Sequence, residues 1–385
     1  MGAQRYGEHG AGTWERDDRN LPSCVWRPAH IPSCAPVPQH HIGGGALHAI
    51  VDETGAVRLR LTDIRHTRQV CSGPPAGAGA LYAAVCLRGV WYALLPGWLQ
   101  GDADDISLRW GAGYAEFAGR FAAGDHRIAY VFSVDASRSR PCLTGALRLE
   151  LVEGPETDIR LRFTADVDPP DTRESETAAP FVRPGIAMLP DALPESVDVA
   201  LVGEETDTPA VQHRSLSLER SVRIASGAPL FEQTVLVCRP ECTVDRLRED
   251  RQRCSRAAVR AEWSDRLVTC RVRAPELWMQ EECLWQDSRA LAFTIPSGAG
   301  LAASVLVPGG AGLFEGGRLS CPTREMLTLV LPLLDTAPSL ALGNLLAVSA
   351  RQAPSGRLPE RLQADADRPP EPAADRSDLE IWVLL

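Results

Sequence analysis

The sequence predicts a multi-domain β + α protein, in which a large antiparallel sandwich is followed by a helical linker and by helical hairpins. From Gly45 to about Cys242, short apolar runs are separated by turn residues with no helical pattern between them. Around Thr243 the chain becomes strongly charged, as a surface helix requires. From Pro322 onward, two acid-bearing helix starts are separated by a turn rich in Gln, Gly and Pro, which indicates a helical hairpin.

These changes divide the chain into four segments. They are a loose tail over residues 1–40, a sandwich over 41–242, a helical linker over 243–274 and helical hairpins over 275–385. The tail is rich in Pro, Arg and His and lacks periodicity, and Cys24–Trp26 is its one candidate ordered segment.

Paired runs in the sandwich predict hairpins. Leu47–Val51 and Val57–Leu61 flank Gly55, and Ala80–Leu87 and Trp91–Leu95 flank an Arg-Gly pair. Further predicted strands are Ile128–Val134, Leu143–Val152, Ile159–Ala165, Val197–Val202, Leu216–Ile224 and Phe231–Val237. The acid- and proline-rich stretch Asp166–Thr177 predicts an exposed loop.

Helix signals begin where the strand signals stop. Thr243 is a candidate N-cap for a linker helix that runs to about Ala261. Pro275-Glu276 opens a second helix, because proline and an acid suit the first helical turn. The buried stripe predicted for that helix is Leu277, Leu284, Ala290 and Leu291.

Composition excludes several classes of partner. The formal net charge of -10 argues against nucleic acid, since phosphate binding needs a basic surface. Residues 1–20 are polar, so no secretory signal is expected, and the apolar stretch Leu327–Leu334 is too short to span a membrane. We therefore expect a cytoplasmic protein without membrane contact. The eleven scattered cysteines fit reduced thiols in that compartment.

Metal and cofactor signals are weak. Cys238 and Cys242, with Cys254 further on, have a loose zinc-like spacing, but the last histidine of the chain is His213. The sequence therefore predicts no metal site, no cofactor and no histidine-dependent nucleophile in the C-terminal half.

Several short motifs carry a resemblance to a known family. They are His41–Gly45 with Val51–Gly55, the pair Thr67-Arg68, then Tyr82, Leu87-Arg88, Trp91 and Pro96, then Leu216–Gly227, the pair Arg324-Glu325, and Ser377-Asp378 with Ile381-Trp382. In this order they resemble the cellobiose/chitobiose phosphorylase group and its cyclic glucan synthase relatives, over roughly residues 41–385.

The resemblance implies a β-supersandwich, a helical linker and a partial (α/α)6 barrel of the six-hairpin glycosidase superfamily. It implies inverting phosphorolysis or hydrolysis of a β-glucoside, with an oligosaccharide or glucan as partner and inorganic phosphate as the co-substrate of phosphorolysis. Asp378 takes the place of the general acid, and Arg324 and Glu325 take the place of the pair that holds the sugar. Trp382 would stack on the substrate. The sequence departs from the family at Leu379, where the family has a second Asp, and the family's phosphate-binding residues lie beyond Leu385.

The same candidate site residues can also be explained by structural roles alone. Ser377 or Asp378 would also serve as a helix N-cap, and Glu325 would suit the first turn of any helix. A tryptophan on an apolar helix more often packs in the core than stacks on a sugar ring. The alternative function is therefore a non-catalytic sugar-binding or structural module derived from such enzymes. If a second chain completes the half-barrel, the protein would be an obligate homo-oligomer.

Overall fold

The structure is a computed structural model. It describes residues 13–27, 39–45, 47–62, 67–71, 81–97, 99, 103–167, 185–190, 196–202, 213–239, 244–268, 273, 275–296, 304–306, 320–328 and 330–363. The predicted loop Asp166–Thr177 lies outside these residues after Val167.

Most strands in the described part of the chain lie before residue 240, and four short strands come after residue 293. In order they are β1 (Thr13–Arg16), β2 (Pro22–Trp26), β3 (Gln39–Gly44), β4 (Leu47–Asp52), β5 (Val57–Thr62), β6 (Thr67–Cys71), β7 (Tyr82–Leu87), β8 (Val90–Ala93), β9 (Ala103–Gly111), β10 (Tyr114–Ala123), β11 (His126–Ala136), β12 (Cys142–Glu153), β13 (Thr157–Val167), β14 (Gly185–Pro190), β15 (Ser196–Val202), β16 (His213–Ile224), β17 (Leu230–Arg239), β18 (Thr294–Pro296), β19 (Ser304–Leu306), β20 (Ser320–Pro322) and β21 (Arg361–Gln363).

Three sheets form the β-rich part. The largest has eight strands in the order β1-β2-β9-β10-β11-β12-β17-β14, the second has the order β15-β16-β13-β7-β8, and the third is β3-β4-β5-β6. Neighbouring strands in all three sheets run antiparallel. The predicted hairpins β4–β5 and β7–β8 are confirmed. In the second, Arg88 and Gly89 both have positive φ, as a two-residue hairpin turn requires.

The main core lies between the large sheet and the other two. On β10 and β11 the aromatic residues Phe117, Phe121 and Phe132 are fully buried, and they share one cluster with Val85 of β7 and Leu161 of β13. The intervening residues of β10 and β11 face the other side, because successive side chains of a strand alternate. The predicted antiparallel sandwich is therefore present.

The interpretation of residues 1–40 as a loose tail is wrong for Thr13–Arg16, which forms a strand, whereas the candidate ordered segment Cys24–Trp26 is confirmed as part of β2. Here β1 and β2 form a hairpin at the edge of the eight-stranded sheet, with Cys24 paired opposite Trp110 of β9. Cys24 and Trp26 are both 2% exposed. The apolar residues of this short segment therefore decide its structure, despite the surrounding Pro and Arg.

The linker contains two helices where one was predicted. They are α1 (Val244–Arg253) and α2 (Arg256–Val268). The break falls at Cys254-Ser255, and the Ser255 hydroxyl accepts a hydrogen bond from the Ala258 N–H at 3.4 Å. Ser255 thus acts as a cap for α2. The predicted cap Thr243 lies outside the described residues.

Four further helices follow the linker among the described residues. They are α3 (Leu277–Ala292), α4 (Thr323–Thr328), α5 (Val330–Thr336) and α6 (Pro338–Ser349). Leu284 and Leu291 of the predicted stripe of α3 are buried. None of the helices in the described part of the chain is long and apolar enough to cross a membrane.

The chain turns after α6, at the place where the sequence predicts a turn rich in Gln, Gly and Pro. A turn closes where the Ala353 N–H donates to the Arg357 carbonyl at 2.8 Å, and the chain then forms β21, which pairs with β20. The predicted helix start at Ser377-Asp378 lies outside the described residues. A partial (α/α)6 barrel remains a prediction.

One close approach between the sandwich and the linker gives a sharp prediction. Gly113 has φ of +75°, and a Cβ there would lie 1.9 Å from Nε1 of the buried Trp263. We expect Gly113→Ala to lower the free energy of unfolding by roughly 2–5 kcal/mol, because backbone strain and overpacking add. Gly227→Ala is the matched control, since its φ is +76° but nothing lies within 4 Å of its Cβ position. Urea unfolding followed by tryptophan fluorescence would contradict this if both variants lost the same stability.

Candidate functional site

The predicted sugar-binding pair Arg324-Glu325 lies in the first turn of α4, and both side chains are exposed. The start of this helix is fixed by Thr323, whose hydroxyl donates to the Pro359 carbonyl at 2.5 Å and whose N–H donates to the Glu360 carbonyl at 2.9 Å. The pair is therefore presented to solvent from a firmly anchored turn. Glu325 also lies where the helix dipole favours an acid, as the structural interpretation requires.

The other two predicted site residues, Asp378 and Trp382, lie outside the described residues. Their roles as general acid and stacking platform, and their distance from Arg324, stay predictions. The two tryptophans of α3 differ from each other: Trp278 is 36% exposed, whereas Trp285 is 6% exposed and part of the main core.

The cavity that the structure describes best is a small aromatic one, which we call the tryptophan pocket. It lies where α3 closes the edge of the sandwich against β2, β3 and β9, and it has a volume of about 10 Å³, enough for about one water molecule. Its lining residues are Trp14, Cys24, Trp26, Gln39, His40, Trp110, Trp285 and Arg289.

His40 is stacked between two indole rings of this pocket. Its ring centroid is 5.4 Å from those of Trp110 and Trp285, with 9° between the planes in each case. Its Nε2 lies 2.9 Å from the Gly111 carbonyl oxygen. Burial lowers the pKa of His40 to about 4, against weaker raising effects of its backbone hydrogen bonds. The imidazole is therefore neutral at pH 7.

The remaining groups of the tryptophan pocket are not reactive. Burial, with the nearby Glu282 charge adding to it, raises the pKa of the Cys24 thiol to about 12, so no thiolate forms at neutral pH. His40 covers one face of Trp110 and one face of Trp285, so those two faces are closed to a sugar ring. The indole N–H groups of Trp26 and Trp110 are buried without a hydrogen-bond partner among the described residues.

Sequence reasoning missed Asp287 of α3. Its side chain is half-buried, and desolvation raises the pKa of its carboxyl group. A general acid needs a pKa raised in this way. Asp287 lies in the middle of a helix with no flanking motif, so burial by the folded chain is the signal that reveals it.

Comparisons with known proteins identify the fold. No protein-family model matches the sequence, and no curated protein matches it. A candidate kojibiose phosphorylase from the human microbiome superposes with a TM-score of 0.58 at 8% identity, over 95% of this chain and 54% of that one. A bacterial glucoamylase solved with acarbose superposes with a TM-score of 0.50 at 10% identity, over 85% of this chain and 53% of that one.

The chain shares the fold of these carbohydrate-active enzymes. It spans about half the length of both. The likeness concerns the fold alone, and it does not single out the cellobiose/chitobiose phosphorylase group.

Proposed function

We propose that this chain is a carbohydrate-active protein of the glycoside phosphorylase or hydrolase type, acting on β-glucosides. The observation that supports it most is the fold match over 95% of the chain to the candidate kojibiose phosphorylase. The residues Arg324, Glu325 and Asp378 add to this support because they lie, in order, where the resemblance implies sugar-binding and acid groups.

In the proposed reaction, Asp378 protonates the glycosidic oxygen while phosphate attacks the anomeric carbon from the opposite face. The bond to the leaving sugar breaks as the new carbon–oxygen bond forms, so the configuration inverts. Phosphate is itself the nucleophile, so no second carboxylate is needed to activate water. Leu379 at the place of the family's second Asp is compatible with phosphorolysis for this reason.

Substrate binding is assigned to three side chains. The guanidinium of Arg324 would donate to sugar hydroxyls, the carboxylate of Glu325 would accept from them, and Trp382 would stack on the ring face. The exposed position of Arg324 and Glu325 means that water competes for both groups. We therefore expect this pair to contribute only modest affinity.

The second candidate function is a sugar-binding or structural module without catalysis. The position of Glu325 in the exposed first turn of α4 is compatible with this alternative, because the helix dipole favours an acid there without any catalytic role. In that case the fold would be retained while the chemistry is lost.

Turnover separates the two candidates. With phosphate and cello-oligosaccharides, we expect the wild type to form a sugar phosphate and Asp378→Asn to be slower by about 10²–10⁴-fold, the usual contribution of a general acid. Asp105→Asn is the control, since Asp105 is an exposed carboxylate on β9. Equal rates for Asp378→Asn and wild type would rule out Asp378 as the acid. Saturable sugar binding without turnover in the wild type would establish the non-catalytic function instead.

A further inference from the structure

Three side chains with metal-binding atoms meet beneath the large sheet. Cys142 begins β12, Asp250 lies in α1, and Cys254 lies between α1 and α2. All three residues are 0% exposed. The two sulfur atoms and a carboxylate oxygen all lie within 4.8 Å of one another. We refer to these residues as the Cys-Asp-Cys cluster.

The fold brings the cluster together through local geometry. The Cys254 N–H donates to the Asp250 carbonyl at 2.8 Å, so these two residues are one helical turn apart on the same face. The hydroxyl of Thr144 on β12 donates to the Cys254 carbonyl, which fixes the end of α1 against the strand that carries Cys142. The three donor groups are thus held by backbone contacts that do not depend on the side chains themselves.

We propose that the Cys-Asp-Cys cluster binds one Zn²⁺ ion. Two thiolates and one carboxylate suit zinc, whereas Mg²⁺ and Ca²⁺ prefer sites made of oxygen atoms alone. With Zn–S distances of about 2.3 Å, tetrahedral geometry sets neighbouring sulfur ligands roughly 3.8 Å apart. The sulfur atoms therefore need to approach each other by at most about 1 Å, and the carboxylate oxygen needs to approach the sulfurs by at most about 1.3 Å, to reach zinc geometry. The fourth position of the tetrahedron is left for a water molecule.

Arg140 supplies the support that a carboxylate ligand needs. Its Nη1 donates to Asp250 Oδ1 at 2.6 Å and its Nη2 to Glu249 at 2.9 Å. One Asp250 oxygen is thereby oriented by a guanidinium, as outer-shell partners orient metal ligands. The charges of the two thiolates and Asp250 are balanced by Zn²⁺ and Arg140 together, so the occupied site carries no net buried charge.

A purely apolar role accounts for the cysteines but not for the carboxylate. Buried cysteines commonly pack as small apolar side chains, and both belong to the cluster that contains Val237 and Trp263. The ion pair with Arg140 offsets the cost of burying Asp250, but it does not account for two thiols lying within 4.8 Å of that carboxylate. The sequence analysis predicted no metal site because Cys238, Cys242 and Cys254 have only a loose zinc-like spacing and no histidine follows His213. Cys142 lies far from Asp250 and Cys254 along the chain, so spacing gives no signal for this cluster.

A bound zinc ion would join β12 to α1 and so connect the sandwich to the linker. Because ligands that converge only in the folded state couple metal binding to folding, removal of the ion should lower the melting temperature.

The test uses the full chain purified from cells and also refolded with Co²⁺. We expect one zinc per chain by elemental analysis, a thiolate-to-cobalt charge-transfer band in the near ultraviolet, and a lower melting temperature after chelation. Cys142→Ala and Cys254→Ala should each weaken zinc binding by more than about 100-fold, since a lost ligand costs more than a lost outer-shell partner. Arg140→Gln should weaken it by about 10–100-fold.

Cys24→Ala and Cys86→Ala are the matched controls, because both cysteines are buried but lie outside the cluster. They should keep one zinc per chain. The proposal is overturned if the wild type retains no zinc and shows no charge-transfer band, if mass spectrometry finds a Cys142–Cys254 disulfide, or if the controls and cluster variants bind alike. Should a cluster variant fail to fold by circular dichroism, the cobalt spectrum of the wild type still decides the outcome.

Discussion

Replacing Arg260 with methionine is expected to lower the free energy of unfolding by about 3–5 kcal/mol, because it leaves a buried carboxylate without its cation. Arg260 of α2 is 5% exposed, and its Nε donates to Oδ1 of the fully buried Asp135 at 2.7 Å. The same guanidinium lies 3.7 Å above the ring of Tyr114 and donates to Glu116 at 3.3 Å. These contacts fix α2 on the outer face of the large sheet.

Two control variants distinguish the loss of this buried ion pair from the loss of an exposed one. Arg120→Met removes the exposed pair with Asp105, which spans 3.1 Å, and should cost less than about 1 kcal/mol. Arg260→Met combined with Asp135→Leu should recover much of the lost stability, because no charge is then left buried. Guanidinium unfolding that shows a loss below about 1 kcal/mol for Arg260→Met would contradict this account of the interface.

Acidification from pH 6.5 to 4.5 is expected to cost roughly 5 kcal/mol of stability, comparable to the whole stability of many domains. Burial lowers the pKa of both His40 and His48 to about 4. The unfolded chain, with ordinary histidine pKa values near 6.5, therefore takes up protons first as the pH falls. Stability is lost between pH 6.5 and 4 at about 1.4 kcal/mol per pH unit for each of these two groups. Burial lowers the pKa of His41 further, to about 3, so the loss continues below pH 4.

The two histidines can be separated by substitution. His48 holds its Nδ1 3.1 Å from the Ala292 carbonyl and its Nε2 3.1 Å from that of Gly45, which joins β4 to the end of α3. His40→Phe keeps an aromatic ring between the two tryptophans but does not titrate. We expect it to be less stable at pH 7 and to depend less steeply on pH. Equal denaturant midpoints for the wild type at pH 7 and pH 4.5 would contradict the prediction.

The sequence predicted the parts of the fold that depend on local pattern. Alternating apolar residues and turn glycines located β4, β5, β7 and β8, and proline with an acid located the start of α3. It missed β9 and β10, whose charged residues look unlike a buried sheet. In the structure, Glu116 of β10 meets Arg256 of α2 at 2.8 Å, so the charge is neutralised by a residue far along the chain.

In the candidate site, too, some features could be predicted from local sequence and others depend on long-range contacts. Arg324, Glu325 and Asp378 could be proposed because short motifs can be read directly from the sequence, and their roles stay predictions. The stacking of His40 between Trp110 and Trp285, and the meeting of Cys142 with Cys254, required tertiary structure, since their partners come from separate elements. Sequence spacing carries no signal for contacts of this kind.

The carbohydrate function is tested most directly by calorimetric titration of the full chain with a panel of gluco-oligosaccharides in phosphate buffer. We predict saturable binding to at least one β-linked oligosaccharide, weakened by about two- to fivefold in Arg324→Ala, as expected for an exposed charged group worth less than about 1 kcal/mol, and unchanged in Arg248→Ala on the exposed face of α1. Absence of binding heat for every sugar, from protein shown to be folded by circular dichroism, would contradict the proposal.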